Sequence, residues 1–61
     1  MNKKNLTSTY VGKSRVSYVY KERDNVYLVT LYENEALSNT IVYDNEDQAE
    51  SCAEDWCLSE F

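Results

Sequence analysis

The sequence has no histidine, no proline, a single glycine (Gly12) and no lysine or arginine after Arg23. Without histidine the chain lacks the commonest general base and the commonest metal ligand. Without proline every backbone N–H can donate to a sheet ladder, which suits continuous antiparallel strands. A lone glycine excludes the glycine-rich loops that cradle phosphates.

Long apolar runs are also missing. No stretch approaches the roughly 18 apolar residues of a membrane span, and no apolar segment follows the basic start MNKKNL, so we expect neither membrane insertion nor a secretory signal. The two cysteines, Cys52 and Cys57, are five positions apart on a predicted helix and would point roughly 140° apart. That separation disfavours a disulfide. Free thiols used as packing residues predict a reducing, cytoplasmic setting.

With 61 residues the chain predicts one domain. A domain this small buries only about 60% of the surface that its unfolded chain exposes. We therefore expect it to need either close packing or a partner.

The net charge of −5 is distributed unevenly. All six basic residues lie in the first 23 positions, whereas ten of the eleven acidic residues lie from Asp24 onward. One interpretation is weak attraction between basic strand ends and an acidic helix, at about 0–1 kcal/mol for each exposed pair. The other is an acidic surface that meets a basic partner.

Residues 13–43 predict a three-stranded antiparallel sheet. The strands are expected at 13–21, 26–32 and 37–43, because their apolar and polar residues alternate or are mostly β-branched and aromatic. Asp24 and Asn25 suit the first turn, and Asn34 suits positive φ in the second. Residues 7–11 are β-prone and end at a bulge or turn at Gly12, and residues 1–6 are expected to form a flexible arm.

Residues 45–58 predict an amphipathic helix. Asn45 is the expected N-cap, with Gln48 three residues later forming a capping box. The apolar stripe, at positions i, i+3, i+4, i+7 and i+8, comprises Ala49, Cys52, Ala53, Trp56 and Cys57.

These elements predict an α+β domain in which a three-stranded meander carries one C-terminal helix on one face (βββα). Facing the helix we expect Tyr18, Tyr20, Tyr27, Val29, Leu31, Ile41 and Tyr43. The other face would be open, which marks a partner or dimer surface, and would carry Val19, Leu28, Thr30, Tyr32 and Val42. The candidate acidic surface on the helix comprises Glu46, Asp47, Glu50, Glu54 and Asp55.

Catalysis is not expected. The carboxylates at 46, 50 and 54 form a solvated helix flank without a histidine beside them. Two thiols do not supply the four ligands of a structural zinc site, and the acidic stretch lacks the spacing of a calcium loop. We therefore predict no enzymatic activity, no metal and no cofactor.

The hairpin-to-helix join at residues 43–49, YDNEDQA, resembles the arm-binding domains of phage integrases and the plant AP2 domain. Both families read DNA with a three-stranded sheet, so the resemblance implies a sheet-face DNA-binding module. Here only Lys13, Arg15, Lys21 and Arg23 would serve phosphate contacts, and the second and third predicted strands carry no basic residue. Because phosphate contacts supply much of DNA affinity, nucleic-acid binding is disfavoured.

Residues 26–58 resemble small uncharacterised proteins of tailed phages, particularly marine and cyanobacterial ones. The likeness is carried by Tyr32, Tyr43, Ala49, Glu50, Ala53, Glu54 and Trp56. The resemblance implies a phage-type accessory protein in the host cytoplasm and brings no activity with it.

We therefore expect a non-catalytic protein that binds a host or phage protein, as an inhibitor or modulator, and that also forms homodimers. The alternative is an acidic nucleic-acid mimic that occupies a DNA- or RNA-binding protein.

Overall fold

The computed structural model describes residues 5–59, which form one antiparallel sheet and one helix. The strands are β1 (Asn5–Val11), β2 (Arg15–Arg23), β3 (Val26–Glu33) and β4 (Ala36–Tyr43), and the helix is α1 (Glu46–Leu58). Each strand pairs with the next along the chain, in the order β1-β2-β3-β4. The α+β class, the antiparallel sheet and the C-terminal helix agree with the sequence prediction, but the sheet has four strands rather than three.

The additional strand, β1, corrects two expectations. The sheet begins at Asn5 rather than at residue 13, and Asn5 and Leu6 belong to β1 rather than to a flexible arm. The other residues of the predicted arm, 1–4, lie outside the described part of the chain. Asn5–Val11 (NLTSTYV) has little apolar content, so its strand conformation comes from pairing along β2. A β-bulge between Leu6 and Ser8 interrupts that pairing.

The hairpin turns depend on residues with positive φ. Asn25, with φ of 62°, lies between β2 and β3. Asn34 and Glu35, with φ of 55° and 68°, form the two-residue loop between β3 and β4. Positive φ at both loop residues is the pattern of a type I′ turn, which matches the right-handed twist of the strands. The expectation for Asn34 is confirmed.

The helix begins as the sequence predicts. The Asn45 side chain accepts a hydrogen bond of 3.1 Å from the Gln48 backbone N–H, and Glu46 and Asp47 lie in the first turn. Acidic side chains there are favoured by the positive end of the helix dipole. The last turn contains no basic residue, so any cation that favours its carbonyl end comes from elsewhere in the fold.

The core lies between α1 and the two middle strands. Its buried members are Val19, Val29, Leu31, Ala49 and Ala53. The helix approaches the sheet closely because the residues at the contact are small. Ser17 of β2 is fully buried, and its hydroxyl donates a 3.0 Å hydrogen bond to the Ala53 carbonyl. The Ser17 hydroxyl also lies 3.2 Å from the Cys57 thiol.

The faces of β2 are the reverse of the sequence prediction. Val19 pairs with Val29 across the strands and is fully buried beneath the helix, so its assignment to the open face is wrong. Tyr18 and Tyr20 were expected beneath the helix, but they pair with Thr30 and Leu28 and lie on the opposite face. The physical reason is size, because tyrosines beneath Ala49 and Ala53 would hold the helix away from the sheet, whereas Ser17 and Val19 allow contact.

The two outer strands, β1 and β4, contain no charged residue and no proline. Edge strands normally carry such residues because unpaired backbone groups attract further strands. On β4 one of these groups is bonded locally, since the Thr40 N–H donates a 2.8 Å hydrogen bond to the Asn39 side-chain oxygen.

Candidate protein-binding face

The sheet face that α1 leaves uncovered is free of charge over most of its area, and the strand pairing places the charged Arg23 beside it at one end of β2. Cross-strand pairing defines its twelve members, because directly paired residues share a face. They are aliphatic residues, threonines and tyrosines, and we call this surface the tyrosine face: Leu6, Thr9, Val11, Val16, Tyr18, Tyr20, Leu28, Thr30, Tyr32, Leu37, Thr40 and Val42. Arg23 and Val26 pair just beyond it, at one end of the β2–β3 hairpin.

Three tyrosines form the centre of the tyrosine face. The Tyr18 and Tyr32 rings meet edge to face, with centroids 5.8 Å apart and an interplanar angle of 82°. The Tyr18 and Tyr20 rings are tilted by 34° at 6.2 Å. Such contacts hold large amphipathic side chains in defined positions, which is the property that enriches tyrosine in protein interfaces.

The outer strands bring exposed aliphatic side chains to the same face. Five large hydrophobic residues are exposed in the described part of the chain, and four of them belong to the tyrosine face. Their exposed fractions are 53% for Leu6, 73% for Val11, 58% for Leu37 and 63% for Val42. Single exposed aliphatic residues are ordinary, but a contiguous group on a charge-free face is typical of an association surface. The fifth, Leu58, lies on α1 and is 55% exposed.

Two of the predicted residues on this face are less accessible than expected. Leu28 is 9% exposed because it lies between its cross-strand neighbours Tyr20 and Val42. The Thr30 hydroxyl oxygen is enclosed and has no hydrogen-bond partner in the part of the chain that the structure describes. An enclosed hydroxyl without a partner costs about 1–3 kcal/mol.

A groove of about 860 Å³ lies where the tyrosine face meets the β1–β2 and β3–β4 turns. The Asn34 N–H donates to the Ser14 carbonyl at 2.9 Å, which ties the two turns together at this end. The groove has one basic and one acidic side chain, and its lining comprises Val11, Gly12, Lys13, Ser14, Val16, Tyr18, Tyr20, Tyr32, Asn34 and Glu35. The groove was not predicted from the sequence, because its lining includes Val11 of β1, the strand that the predicted sheet lacked.

The opposite layer of the molecule carries the charge. The helix has five acidic residues, which form the acidic surface (Glu46, Asp47, Glu50, Glu54 and Asp55), and no basic residue. These five account for the net charge of −5, since the remaining six acidic and six basic residues cancel. Glu50 is half-buried and accepts a 2.8 Å hydrogen bond from the Ser8 hydroxyl, whereas the other four are exposed.

Arg15 supplies the missing cation at the end of α1. Its guanidinium lies 4.8 Å from the Trp56 ring centroid and donates hydrogen bonds to the Trp56 carbonyl at 2.9 Å and to the Ser59 hydroxyl at 2.8 Å. It also forms an ion pair of 3.3 Å with Glu33. The Arg15 guanidinium therefore makes its contacts on the helix side of the sheet and does not contribute a charge to the tyrosine face.

The other candidate phosphate-binding residues do not form one patch either. Lys13 lies in the β1–β2 loop, and Arg23 ends β2 at the other end of the sheet. The Lys21 ammonium forms an ion pair with the Asp24 carboxylate at 3.5 Å. The arrangement gives no continuous basic surface for a nucleic-acid backbone among residues 5–59.

Both cysteines are free thiols, with Cys57 buried and Cys52 half-buried. The Cys57 thiol donates to the Tyr10 carbonyl at 3.4 Å, so it serves as a packing group with a weak hydrogen bond. A hydrogen bond with the Cys52 thiol, followed by burial, raises the pKa of the Tyr43 hydroxyl above its ordinary value of 10.0. Within residues 5–59, no group of three or more histidine, cysteine, aspartate or glutamate residues is placed to hold a metal ion.

Four of the five residues predicted for the open face, Leu28, Thr30, Tyr32 and Val42, do lie together on the tyrosine face. Sequence reasoning missed two of its tyrosines, Tyr18 and Tyr20, and the aliphatic residues of β1. The signal for the tyrosines was the pattern of β2 itself, where alternate positions hold either large aromatic or small residues.

Comparisons of the chain with protein-family models, characterised proteins and solved structures find no match. No helix among residues 5–59 has the length and apolar character needed to cross a bilayer. The geometry of the two surfaces therefore carries the functional argument.

Proposed function

We propose that this chain is a small phage-type accessory protein that acts without catalysis, by binding another protein through the tyrosine face. The observation that carries the proposal is the uncharged, aromatic-centred sheet face with exposed aliphatic residues on both outer strands. The partner surface that fits it is apolar and carries few charges, because a charged group buried against this face would lose its hydration without gaining a counter-ion.

The proposed action follows from the size of the module. A chain of 61 residues that covers an apolar patch on a host or phage protein in the host cytoplasm would inhibit or modulate that protein by occupying the patch. Affinity would come mainly from the central tyrosines, since aromatic residues near the middle of an interface contribute most of its binding energy.

The second candidate is the acidic nucleic-acid mimic. Its support is the acidic surface, in which five carboxylates on one helix are unaccompanied by any basic residue. Exposed carboxylates of this kind would attract the basic groove of a DNA- or RNA-binding protein, and that attraction would weaken as salt screens it. Duplex DNA itself would not bind to a mimic. A sheet-face DNA-binding module has less support, because the basic residues are dispersed.

The test separates the two surfaces by introducing a charge on one of them and reversing a charge on the other. A protein captured from host or phage-infected lysate is identified and purified, and its affinity is measured for the wild type, for Val42→Asp on the tyrosine face and for Glu54→Lys on the acidic surface. Both altered positions are exposed in the folded chain, so neither change removes a core contact. Circular dichroism confirms the fold of each variant.

The proposal expects Val42→Asp to weaken binding at least tenfold and Glu54→Lys to change it less than twofold, at both low and high salt. The reverse pattern, with binding that falls steeply as salt rises, would overturn the proposal in favour of the acidic mimic. Binding of the wild type to duplex DNA would contradict both.

A further inference from the structure

We infer that, in the free protein, the tyrosine face is covered by a second copy of this chain, whose own tyrosine face packs against it to form a symmetric two-sheet sandwich. The inference rests on the proposed function in one respect: it takes the tyrosine face as an association surface and names its occupant. A host or phage protein that binds the same face would displace the second copy.

The tyrosine face is large enough for a dimer contact. Four strands of seven to nine residues, at about 3.4 Å per residue and about 4.8 Å between strands, give the sheet a flat area of roughly 500 Å². A specific interface needs about 1,000 Å² in total over both partners, so two complete sheet faces reach that threshold. No other surface of the described chain joins this extent to this composition, because α1 covers the opposite side of the sheet.

The charge distribution also favours contact through the tyrosine face. Each copy has a net charge of −5, which is equal to the summed charge of the side chains on its helix α1. Contact through the helices would bring acidic surfaces together, whereas the tyrosine face presents no like charges to itself. With layers spaced by about 10 Å, face-to-face packing leaves the two helices roughly 30 Å apart on the outside of the sandwich. That distance exceeds the Debye length of about 8 Å at physiological salt, so their repulsion is screened.

The distribution of side chains over the tyrosine face suits a twofold contact. A twofold interface places the same patch of both copies in contact, so the side chains of that patch must be complementary to themselves. Here Tyr18, Tyr20 and Tyr32 lie on the two middle strands, and the exposed aliphatic residues lie on the two outer ones. An aromatic centre surrounded by aliphatic residues has the composition of an interface core. The marginal core of a domain this small also favours burial of a second apolar face.

The test is sedimentation equilibrium of the full chain over a wide concentration range, with Val42→Lys and Leu58→Lys as a matched pair. Both residues are aliphatic and similarly exposed, at 63% and 55%, but only Val42 belongs to the tyrosine face. We expect the wild type and Leu58→Lys to approach twice the chain mass of 7.1 kDa and Val42→Lys to be at least tenfold weaker in self-association. Because the face is uncharged, added salt should not dissociate the wild-type dimer.

A wild type that sediments as a monomer up to millimolar concentration would overturn the inference. Equal dissociation by Leu58→Lys and Val42→Lys would do the same, since it would place the contact elsewhere. Should Val42→Lys fail to fold by circular dichroism, Val11→Lys on the opposite outer strand replaces it, because Val11 is 73% exposed.

Failure of the dimer and failure of the proposed function give different results in these experiments. A monomeric wild type whose purified partner still loses affinity with Val42→Asp would leave the proposed function standing without the dimer. A dimer that Val42→Lys dissociates, together with partner binding that Val42→Asp leaves unchanged, would retain the dimer and reject the tyrosine face as the site for another protein.

Discussion

Replacing Arg15 with methionine should lower the free energy of unfolding by about 2–3 kcal/mol. Methionine retains much of the apolar stem of arginine but removes the cation, so the change isolates the guanidinium contacts. These contacts include the hydrogen bonds to the Trp56 carbonyl and the Ser59 hydroxyl, the stacking on Trp56 and the ion pair with Glu33.

The magnitude follows from the individual contacts, which overlap and do not add fully. A hydrogen bond from a charged donor contributes about 1.5–3 kcal/mol, and a cation over a partly exposed indole ring about 0.5–1 kcal/mol. The Glu33 side chain is 41% exposed, so its ion pair contributes at the low end of about 0–1 kcal/mol. A domain of this length has a total stability of about 3–9 kcal/mol, so the loss is a large fraction of it.

The assay is urea unfolding followed by Trp56 fluorescence and by far-ultraviolet circular dichroism, since Trp56 is the only tryptophan and lies at the contact. Arg23→Met is the matched control, because Arg23 is an exposed residue at the other end of the same strand and should cost less than about 0.5 kcal/mol. Arg15→Lys should recover part of the loss, since it restores the charge but not the planar fork. If Arg15→Met unfolds at the same urea concentration as Arg23→Met, the cation does not hold the end of the helix.

Four further predictions concern single side chains. Ser17→Ala should lower the free energy of unfolding in urea by about 1 kcal/mol, because it removes a buried hydrogen bond to the Ala53 carbonyl, which keeps its donor within the helix. Thr30→Val should raise the free energy of unfolding by about 1 kcal/mol, because it removes an enclosed hydroxyl that has no partner within residues 5–59. A stabilising Ser17→Ala or a destabilising Thr30→Val would contradict this account. Glu35→Gly should raise the melting temperature by a few degrees, because glycine adopts the observed φ of 68° without steric cost, and a lower melting temperature would contradict the type I′ geometry. The raised pKa of Tyr43 means that the folded state holds the phenol proton more tightly than the unfolded state. This contribution to stability should be present below pH 10.0 and lost as pH rises through the folded pKa. Cys52→Ala should lower the Tyr43 pKa in an ultraviolet titration, and an unchanged midpoint would exclude the thiol as the cause.

The parts of the fold that sequence reasoning predicted are those fixed by local chemistry. The capping side chain of Asn45, the acidic first turn and the apolar stripe determine where α1 begins and which side it buries. Asn34 determines a turn because its side chain tolerates positive φ. Each of these signals depends on residues within one or two turns of each other, so they can be interpreted without the rest of the chain.

The parts that were not predicted depend on pairing between distant residues. In β2 both faces hold residues that are acceptable in a core, and only the register with Val29 and the close approach of Ala53 decide that Val19 faces the helix. The strand β1 has little apolar content and is formed because β2 offers it an unpaired edge. The composition of the tyrosine face therefore became apparent only from the cross-strand register.

The local hydrogen bond on β4 has a consequence for how large an assembly can become. An uncharged outer strand invites further strands, and head-to-tail addition of that kind has no closed end, so it leads to filaments. The Asn39 side chain occupies the Thr40 N–H, which removes one donor that an incoming strand would need. Association through sheet faces stops at two copies, whereas association through sheet edges does not, and the Asn39 amide opposes growth at the β4 edge by taking up one of its donors.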